Sequence, residues 1–230
     1  PAVMSTEQTP CNPGTFQPYH GQSSCLSATG GHYVMAYGST NQTACDAGTY
    51  NPNNGSSSPH DCIFTSPGHF SLSGSTNQTA CSPGTFQPMG ASQICIDASP
   101  GSYVPLSTAT AQIPCRTGTY QPHPGQLYCW DASPGHFVSG FGSINQTACP
   151  VGTYNHRNGS TSDSDCVDTS PGHYTNETGS STQLPCDPGS YQPSSGTTAC
   201  IPAQPGHYTT DSGSSTQQVC LPGTYNPTYG

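Results

Sequence analysis

Residues 11–25 read Cys-Asn-Pro-Gly-Thr-Phe-Gln-Pro-Tyr-His-Gly-Gln-Ser-Ser-Cys, and variants of this stretch recur along the whole chain. Each copy contains a Gly followed two residues later by an aromatic residue, and successive copies are 16 to 20 residues apart. Repetition at a fixed period indicates an array of small units rather than one globular core. The aromatic residues in this phase are Phe16, Tyr33, Tyr50, Phe70, Phe86, Tyr103, Tyr120, Phe137, Tyr154, Tyr174, Tyr191, Tyr208 and Tyr225.

The units, about 17 residues long, alternate between two types, which gives a double period of 34 to 37 residues. The first type opens with a Cys, as at Cys11 and Cys45, and the second carries a Pro-Gly-His-aromatic core, as at 67–70. The chain has 27 Gly and 24 Pro, which favour turns over helices. We therefore expect a small disulfide-rich β fold, in which each unit is a turn plus a short β-ribbon whose aromatic lies against the nearby disulfide.

This pattern predicts one continuous array over residues 1–230, with about thirteen units and almost no helix. Units in such an array contact mostly their nearest neighbours, which predicts an elongated rod. The repeat phase at residues 5–11 and 220–230 further predicts that the array is cut mid-unit at both ends, and that neighbouring copies or a continuation of the same array complete it.

Composition limits the function classes that fit. Leu, Ile, Val and Phe together number 25, too few for a central core of ordinary size. Thirteen cysteines without metal-type pairs indicate disulfides and an oxidising, extracellular compartment. The net charge is −9 and the only cations are Arg116 and Arg157, which argues against nucleic acid as a partner. No apolar run approaches the ~20 residues of a membrane span, so no span is expected in this segment.

The first-type string Cys-x-Pro-Gly-Thr-aromatic-x-Pro, with its later closing Cys, resembles the cysteine-rich repeat of ephrin-receptor-like ectodomains, which is similar in style to tumour-necrosis-factor-receptor modules. Second-type units lack both family cysteines: Ala or Thr stands at the first position, as at Ala28, and Gln at the second, as at Gln42. Paired loss implies that the two positions bond to each other, and that the recurrent Gln, from Gln8 to Gln217, bonds backbone groups instead. The resemblance thus implies the bridges Cys11–Cys25, Cys45–Cys62, Cys81–Cys95, Cys115–Cys129, Cys149–Cys166 and Cys186–Cys200.

A competing register, Cys25–Cys45 and onward, has the more uniform spacing and stays open at this point. Either register leaves one cysteine over, and in the first that residue is Cys220.

Six Asn-x-Ser/Thr sequons occur, and their positions within the repeat are not random. Three asparagines stand four residues before a first-type Cys, and two stand nine residues after one. We expect these sites to carry N-linked glycans that supply the hydration which charges do not. The sites are Asn41, Asn54, Asn77, Asn145, Asn158 and Asn176.

The remaining polar residues predict no catalytic or metal site. Five histidines share one phase, and side chains a repeat apart do not converge on one ion with bonds of ~2 Å. We therefore expect no cofactor other than covalent glycans, and no enzyme activity. The five are His32, His69, His136, His173 and His207.

Near-identical units, scarce charge and phased sequons favour an extracellular structural protein, such as the core of a fibre, appendage or matrix. The alternative is the ligand-binding or adhesion ectodomain of a cell-surface receptor, for which one atypical unit with exposed apolar side chains is the expected sign.

Overall fold

The structure, a computed structural model, describes residues 7–230. Its regular structure consists of two-residue strands joined as antiparallel hairpins, together with two three-residue 3-10 turns, Pro59–Asp61 and Asp163–Asp165. The expected small disulfide-rich β tandem repeat with almost no helix is confirmed. The strands are β1 Thr15–Phe16, β2 Leu26–Ser27, β3 His32–Tyr33, β4 Thr43–Ala44, β5 Thr49–Tyr50, β6 Ile63–Phe64, β7 His69–Phe70, β8 Thr79–Ala80, β9 Thr85–Phe86, β10 Ile96–Asp97, β11 Ser102–Tyr103, β12 Ile113–Pro114, β13 Thr119–Tyr120, β14 Trp130–Asp131, β15 His136–Phe137, β16 Thr147–Ala148, β17 Thr153–Tyr154, β18 Val167–Asp168, β19 His173–Tyr174, β20 Leu184–Pro185, β21 Ser190–Tyr191, β22 Ile201–Pro202, β23 His207–Tyr208 and β24 Gln218–Val219.

Each unit begins with a tight turn whose Gly has a positive φ, a conformation that costs L residues with a side chain about 1–2 kcal/mol. The first strand follows this turn glycine directly, and the phased aromatic pairs with the first residue of the second strand, as Phe16 does with Leu26. We number the units by their turn glycines. From unit 1 to unit 13 these are Gly14, Gly31, Gly48, Gly68, Gly84, Gly101, Gly118, Gly135, Gly152, Gly172, Gly189, Gly206 and Gly223.

The described residues group into two compact bodies. One comprises the chain up to Ser99 together with Val104–Ile113 and Gly125–Leu127. The other comprises Pro100–Tyr103, Pro114–Pro124 and Tyr128–Gly230. The bodies are built from the same repeat, and the contacts described below recur inside each of them.

Within each body, backbone hydrogen bonds join every unit to the next. The turn glycine N–H donates to the carbonyl of the residue after the next unit's aromatic, as from Gly14 to Val34 at 2.7 Å. A residue in the next unit's loop donates back, as from Gly38 to Cys11 at 2.8 Å. These bonds satisfy the turn and loop amides that the short strands leave unpaired.

A second contact links each unit to the unit after next, which was not expected. A Cβ added to Gly31 in unit 2 would overlap the carbonyl oxygen of Gly74 in unit 4, and Gly101 meets Gly142 in the same way. Contacts are therefore not confined to the nearest neighbours, which the sequence predicts to provide most of them. The turns of units 1 to 11 each contact two later units, because alternate units stack within each body.

The core consists of small and polar side chains rather than aromatic rings. Fully buried positions are the first Cys or its Ala/Thr replacement and the residue after the aromatic, such as Val104 and Gln121. The paired aromatics are only half-buried. Close packing of the turn glycines against a neighbouring backbone accompanies this core of small side chains.

Candidate functional site

Six disulfides close the odd-numbered units 1 to 11, with Cα–Cα distances of 5.6 to 5.8 Å. They join Cys11 to Cys25, Cys45 to Cys62, Cys81 to Cys95, Cys115 to Cys129, Cys149 to Cys166, and Cys186 to Cys200. Each bridge stays inside its own unit, which is the pairing that the ephrin-receptor-like resemblance implies. Cys220, in the same phase, has a free thiol and is partly exposed.

Loop length in the disulfide-closed units is matched by the buried amide after the aromatic. Where the two cysteines are 14 residues apart, a Gln reaches a loop carbonyl, as Gln121 Nε2 does to the Tyr128 oxygen at 2.9 Å. Where they are 17 apart, the shorter Asn51 donates to Ser56 Oγ at 2.8 Å. Asn155 makes the equivalent bond, and the added residues form the 3-10 turns. This correlation was not predicted, although it is visible in the sequence: the residue after the aromatic is Gln where the two cysteines are 14 residues apart and Asn where they are 17 apart.

A glutamine replaces the disulfide in the second-type units. Gln42 Oε1 accepts from the backbone N–H of Thr29, next to Ala28, at 2.8 Å, so the bond spans the two positions that a disulfide would join. The equivalent backbone N–H donates at 2.7 to 2.8 Å to the Oε1 atoms of Gln78, Gln112, Gln146, Gln183 and Gln217. The predicted backbone bonding of these glutamines is thus present, and its role is to close the hairpin.

The phased histidines are held singly. His136 Nδ1 lies 3.2 Å from the Pro134 carbonyl oxygen, which can only accept, so Nδ1 carries the proton. The ring packs against the loop glycine of the unit after next, Gly179. His32, His69, His173 and His207 make the corresponding bond at 3.2 to 3.3 Å. These contacts give the histidines a packing role in the turn.

No convergent metal or transmembrane element is found in residues 7–230. No group of three or more His, Cys, Asp or Glu side chains in this range is placed to hold an ion. No helix among these residues is long and apolar enough to cross a membrane. A shallow polar groove along unit 1 is lined by Gln8, Gln17 and Tyr19.

All six sequon asparagines are exposed; five of them belong to two structural classes, and Asn176 instead follows the first strand of unit 10. Asn41, Asn77 and Asn145 lie on the bend before the second strand of a second-type unit, and their side chains make no hydrogen bond to the described residues. Asn54 and Asn158 lie in long loops whose sequon serines, Ser56 and Ser160, are buried and bonded to Asn51 and Asn155. In the second class, packing alone accounts for the sequon Ser.

Unit 7 departs from the other units by presenting an aromatic cluster. Trp130 takes the position that holds Leu26, Ile96 or Ile201 elsewhere, and 38% of its side chain is exposed. Tyr120 and His123 contact it edge-on, each with ring centroids 5.8 Å away. Phe141 is itself 74% exposed, but it has no ring partner among the described residues.

No protein-family model matches this chain, and no curated protein sequence matches it. The fold and the repeated contacts are therefore the basis on which function is inferred.

Proposed function

We propose that this chain is an extracellular, N-glycosylated structural protein of the ephrin-receptor-like repeat style, built to form the core of a fibre, appendage or matrix. The disulfide-rich repeat pattern is compatible with an extracellular protein. The proposal assigns the chain no catalytic role.

The observation that supports a structural role most strongly is the use of equivalent residues for the same contact in unit after unit. Turn glycines donate to the next unit, cysteines or glutamines close the hairpin, and buried amides span the loop. All buried side-chain nitrogen and oxygen atoms among residues 7–230 have hydrogen-bond partners. Most of the sequence thus contributes to contacts within and between units, as expected of a repetitive scaffold.

The glycans are proposed on the exposed asparagines. Asn41, Asn77 and Asn145 have no structural partner among the described residues, so their recurrence in one phase is accounted for by modification. The 230-residue chain has only two Lys or Arg and 11 Asp or Glu residues, and sugars would supply the surface hydration that charged side chains do not. Neighbouring copies, or a continuation of the array, and the N-linked glycans are the proposed partners.

Electron microscopy of native material together with glycopeptide mass spectrometry tests this function. We expect filaments or a matrix, and sugar on Asn77. Thr79 is exposed, so Thr79→Ala abolishes this sequon without opening the core, and Thr79→Ser is the matched control that retains it. Loss of sugar in the first variant alone, with lower solubility and unchanged fold, is the expected result. Unmodified asparagines at most sites, or dispersed monomers in native material, contradict the proposal.

A receptor or adhesion ectodomain is the second candidate, and the aromatic cluster of unit 7 favours it. Aromatic anchors are typical of binding hot spots. Trp130→Ile restores the aliphatic residue of the other disulfide-closed units and should leave the fold intact. If that variant loses a high-affinity protein partner while the native protein forms no assembly, the receptor interpretation replaces the structural one.

A further inference from the structure

Two of the six sequons lie inside disulfide loops, and the other four lie outside them. Asn54 stands within the loop that the Cys45–Cys62 bridge closes, and Asn158 stands at the same place within the Cys149–Cys166 loop. Both of these loop sequons read Asn-Gly-Ser. The chain therefore offers two kinds of acceptor for the same modification. The four asparagines outside, all in second-type units, are Asn41, Asn77, Asn145 and Asn176.

The hydroxyl of each loop sequon is buried. Ser56 is 7% exposed, and its Oγ accepts a hydrogen bond from Asn51 Nδ2 at 2.8 Å. Ser160 is 6% exposed, and its Oγ accepts from Asn155 Nδ2 at 2.7 Å. These serines fill the inside of the folded loop. An enzyme therefore reaches their hydroxyls only when the loop is open.

Backbone hydrogen bonds hold the rest of the loop sequon against the preceding unit. The Gly55 N–H donates to the Ala28 carbonyl at 2.7 Å, and the Ser56 carbonyl accepts from the Val34 N–H at 3.0 Å. The equivalent bonds between units 8 and 9 measure 2.8 and 2.9 Å. Freeing a loop sequon thus requires that the loop also separate from the unit before it.

The sequons outside the disulfide loops leave their hydroxyl residue within reach. Thr79 is exposed on β8, and neither Asn77 nor Thr79 uses its side chain in a hydrogen bond to the described residues. The sequon threonines Thr43, Thr147 and Thr178 are exposed as well. In these four sequons the folded chain presents both the asparagine and the hydroxyl to an enzyme.

We propose that Asn54 and Asn158 accept their glycans only before the loops of units 3 and 9 close, whereas the other four sequons also accept them on the folded chain. The inference rests on the proposed N-glycosylation. The Ser or Thr of a sequon is part of what the transferase recognises, so burial of the loop serine removes the acceptor from its reach. Closure of the two enclosing disulfides therefore ends the period in which these two sites are modified.

The transfer is a substitution at the anomeric carbon of a lipid-linked oligosaccharide. A bond forms from the asparagine Nδ2 to that carbon while the bond from the carbon to the pyrophosphate oxygen breaks. The lipid pyrophosphate leaves with the electron pair, and Nδ2 loses one proton. Asn54 Oδ1, which takes no part, accepts from the Gly30 N–H at 2.8 Å, and Asn54 Nδ2 makes no hydrogen bond to the described residues. A glycan already on Asn54 is therefore compatible with closure of the loop.

The experiment compares two forms of the unglycosylated 230-residue chain. One form is oxidised and folded, and the other is reduced, alkylated and unfolded. Each is incubated with an oligosaccharyltransferase and a lipid-linked oligosaccharide, and glycopeptide mass spectrometry measures the occupancy of each site. The unfolded form should be modified at all six sequons.

Occupancy on the folded form is normalised, site by site, to occupancy on the unfolded form. Normalised occupancy of Asn54 and Asn158 should be lower than that of Asn77 by about tenfold or more. The reason is that freeing the loop serine breaks at least one buried hydrogen bond, which corresponds to about a tenfold change in an opening equilibrium.

Cysteine variants test each loop against the other. Cys45→Ser combined with Cys62→Ser removes the bridge of unit 3, so occupancy of Asn54 on the oxidised chain should rise toward its value on the unfolded chain while Asn158 stays low. Cys149→Ser combined with Cys166→Ser should have the opposite effect. The untouched loop is the control in each variant, because its low occupancy shows that its unit is still folded.

Three results overturn the inference. One is equal normalised occupancy of Asn54 and Asn77 on the folded chain, and another is an absence of transfer to Asn77 on that form. The third is an Asn54 that stays unmodified after the bridge of unit 3 is removed. An absence of transfer to every sequon of the unfolded chain contradicts the proposed N-glycosylation itself, so the two failures are distinguishable.

Discussion

Replacing the turn glycine Gly31 by alanine tests the stacking of alternate units. Its φ is +79°, and an added Cβ overlaps the Gly74 carbonyl, a backbone atom that cannot swing away. The left-handed conformation costs a residue with a side chain about 1–2 kcal/mol. Overpacking adds about 1–3 kcal/mol.

Gly55→Ala is the matched control, because Gly55 has φ +73° but nothing within 4 Å of its added Cβ. Gly55→Ala should lose only the stability that the left-handed backbone conformation costs. The difference between the two variants is then the overlap, about 1–3 kcal/mol, which corresponds to about a 5- to 150-fold change in an opening equilibrium.

Amide hydrogen exchange with disulfides intact measures this difference locally. In Gly31→Ala the reporter is the Cys45 amide, which donates to the Gly31 carbonyl. In Gly55→Ala it is the Thr65 amide, which donates to Gly48 in the same unit. Equal losses of protection in the two variants would refute the contact between a unit and the unit after next.

Three further experiments test other parts of the repeat. Thr108 takes a loop glycine's place at φ +59°, so Thr108→Gly should raise the free energy of unfolding in urea by about 0.5–1 kcal/mol. Ser107→Gly, where φ is not positive, should lower it, and a drop in both variants contradicts the strain assignment. Gln112→Ala removes the 2.7 Å hydrogen bond that the Ser99 amide donates, so the exchange protection of that amide should fall about tenfold, which corresponds to about 1.4 kcal/mol. The neighbouring disulfides should be unaffected. Unchanged exchange would show that Gln112 does not close the hairpin. Gln121→Asn and Asn155→Gln exchange the loop-spanning amides, and each should lower the free energy of unfolding by about 1–3 kcal/mol in chemical unfolding. The shorter Asn side chain no longer reaches the Tyr128 carbonyl, and the longer Gln side chain overfills the space beside Ser160. If both substitutions are neutral, loop length does not select the amide.

The sequence by itself determined the local chemistry of each unit. A Gly two residues before an aromatic imposes a turn and then an extended pair, and this needs no information from distant parts of the chain. The paired loss of cysteines carried the same kind of information, because one position predicts the other within about 17 residues. The hairpins, the exchange of a disulfide for a glutamine bond at Gln42, and the exposure of the sequons could therefore be anticipated.

Only the tertiary structure decided what the units do to one another. Gly31 meets Gly74, which lies 43 residues later in the chain, only if each unit is rotated by the right amount relative to the unit before it. This rotation accumulates from small differences in backbone angles, and no single residue type specifies it. The same packing buries Val104, Gln121 and the first cysteines of the disulfide-closed units, and it leaves the phased aromatic rings half-buried.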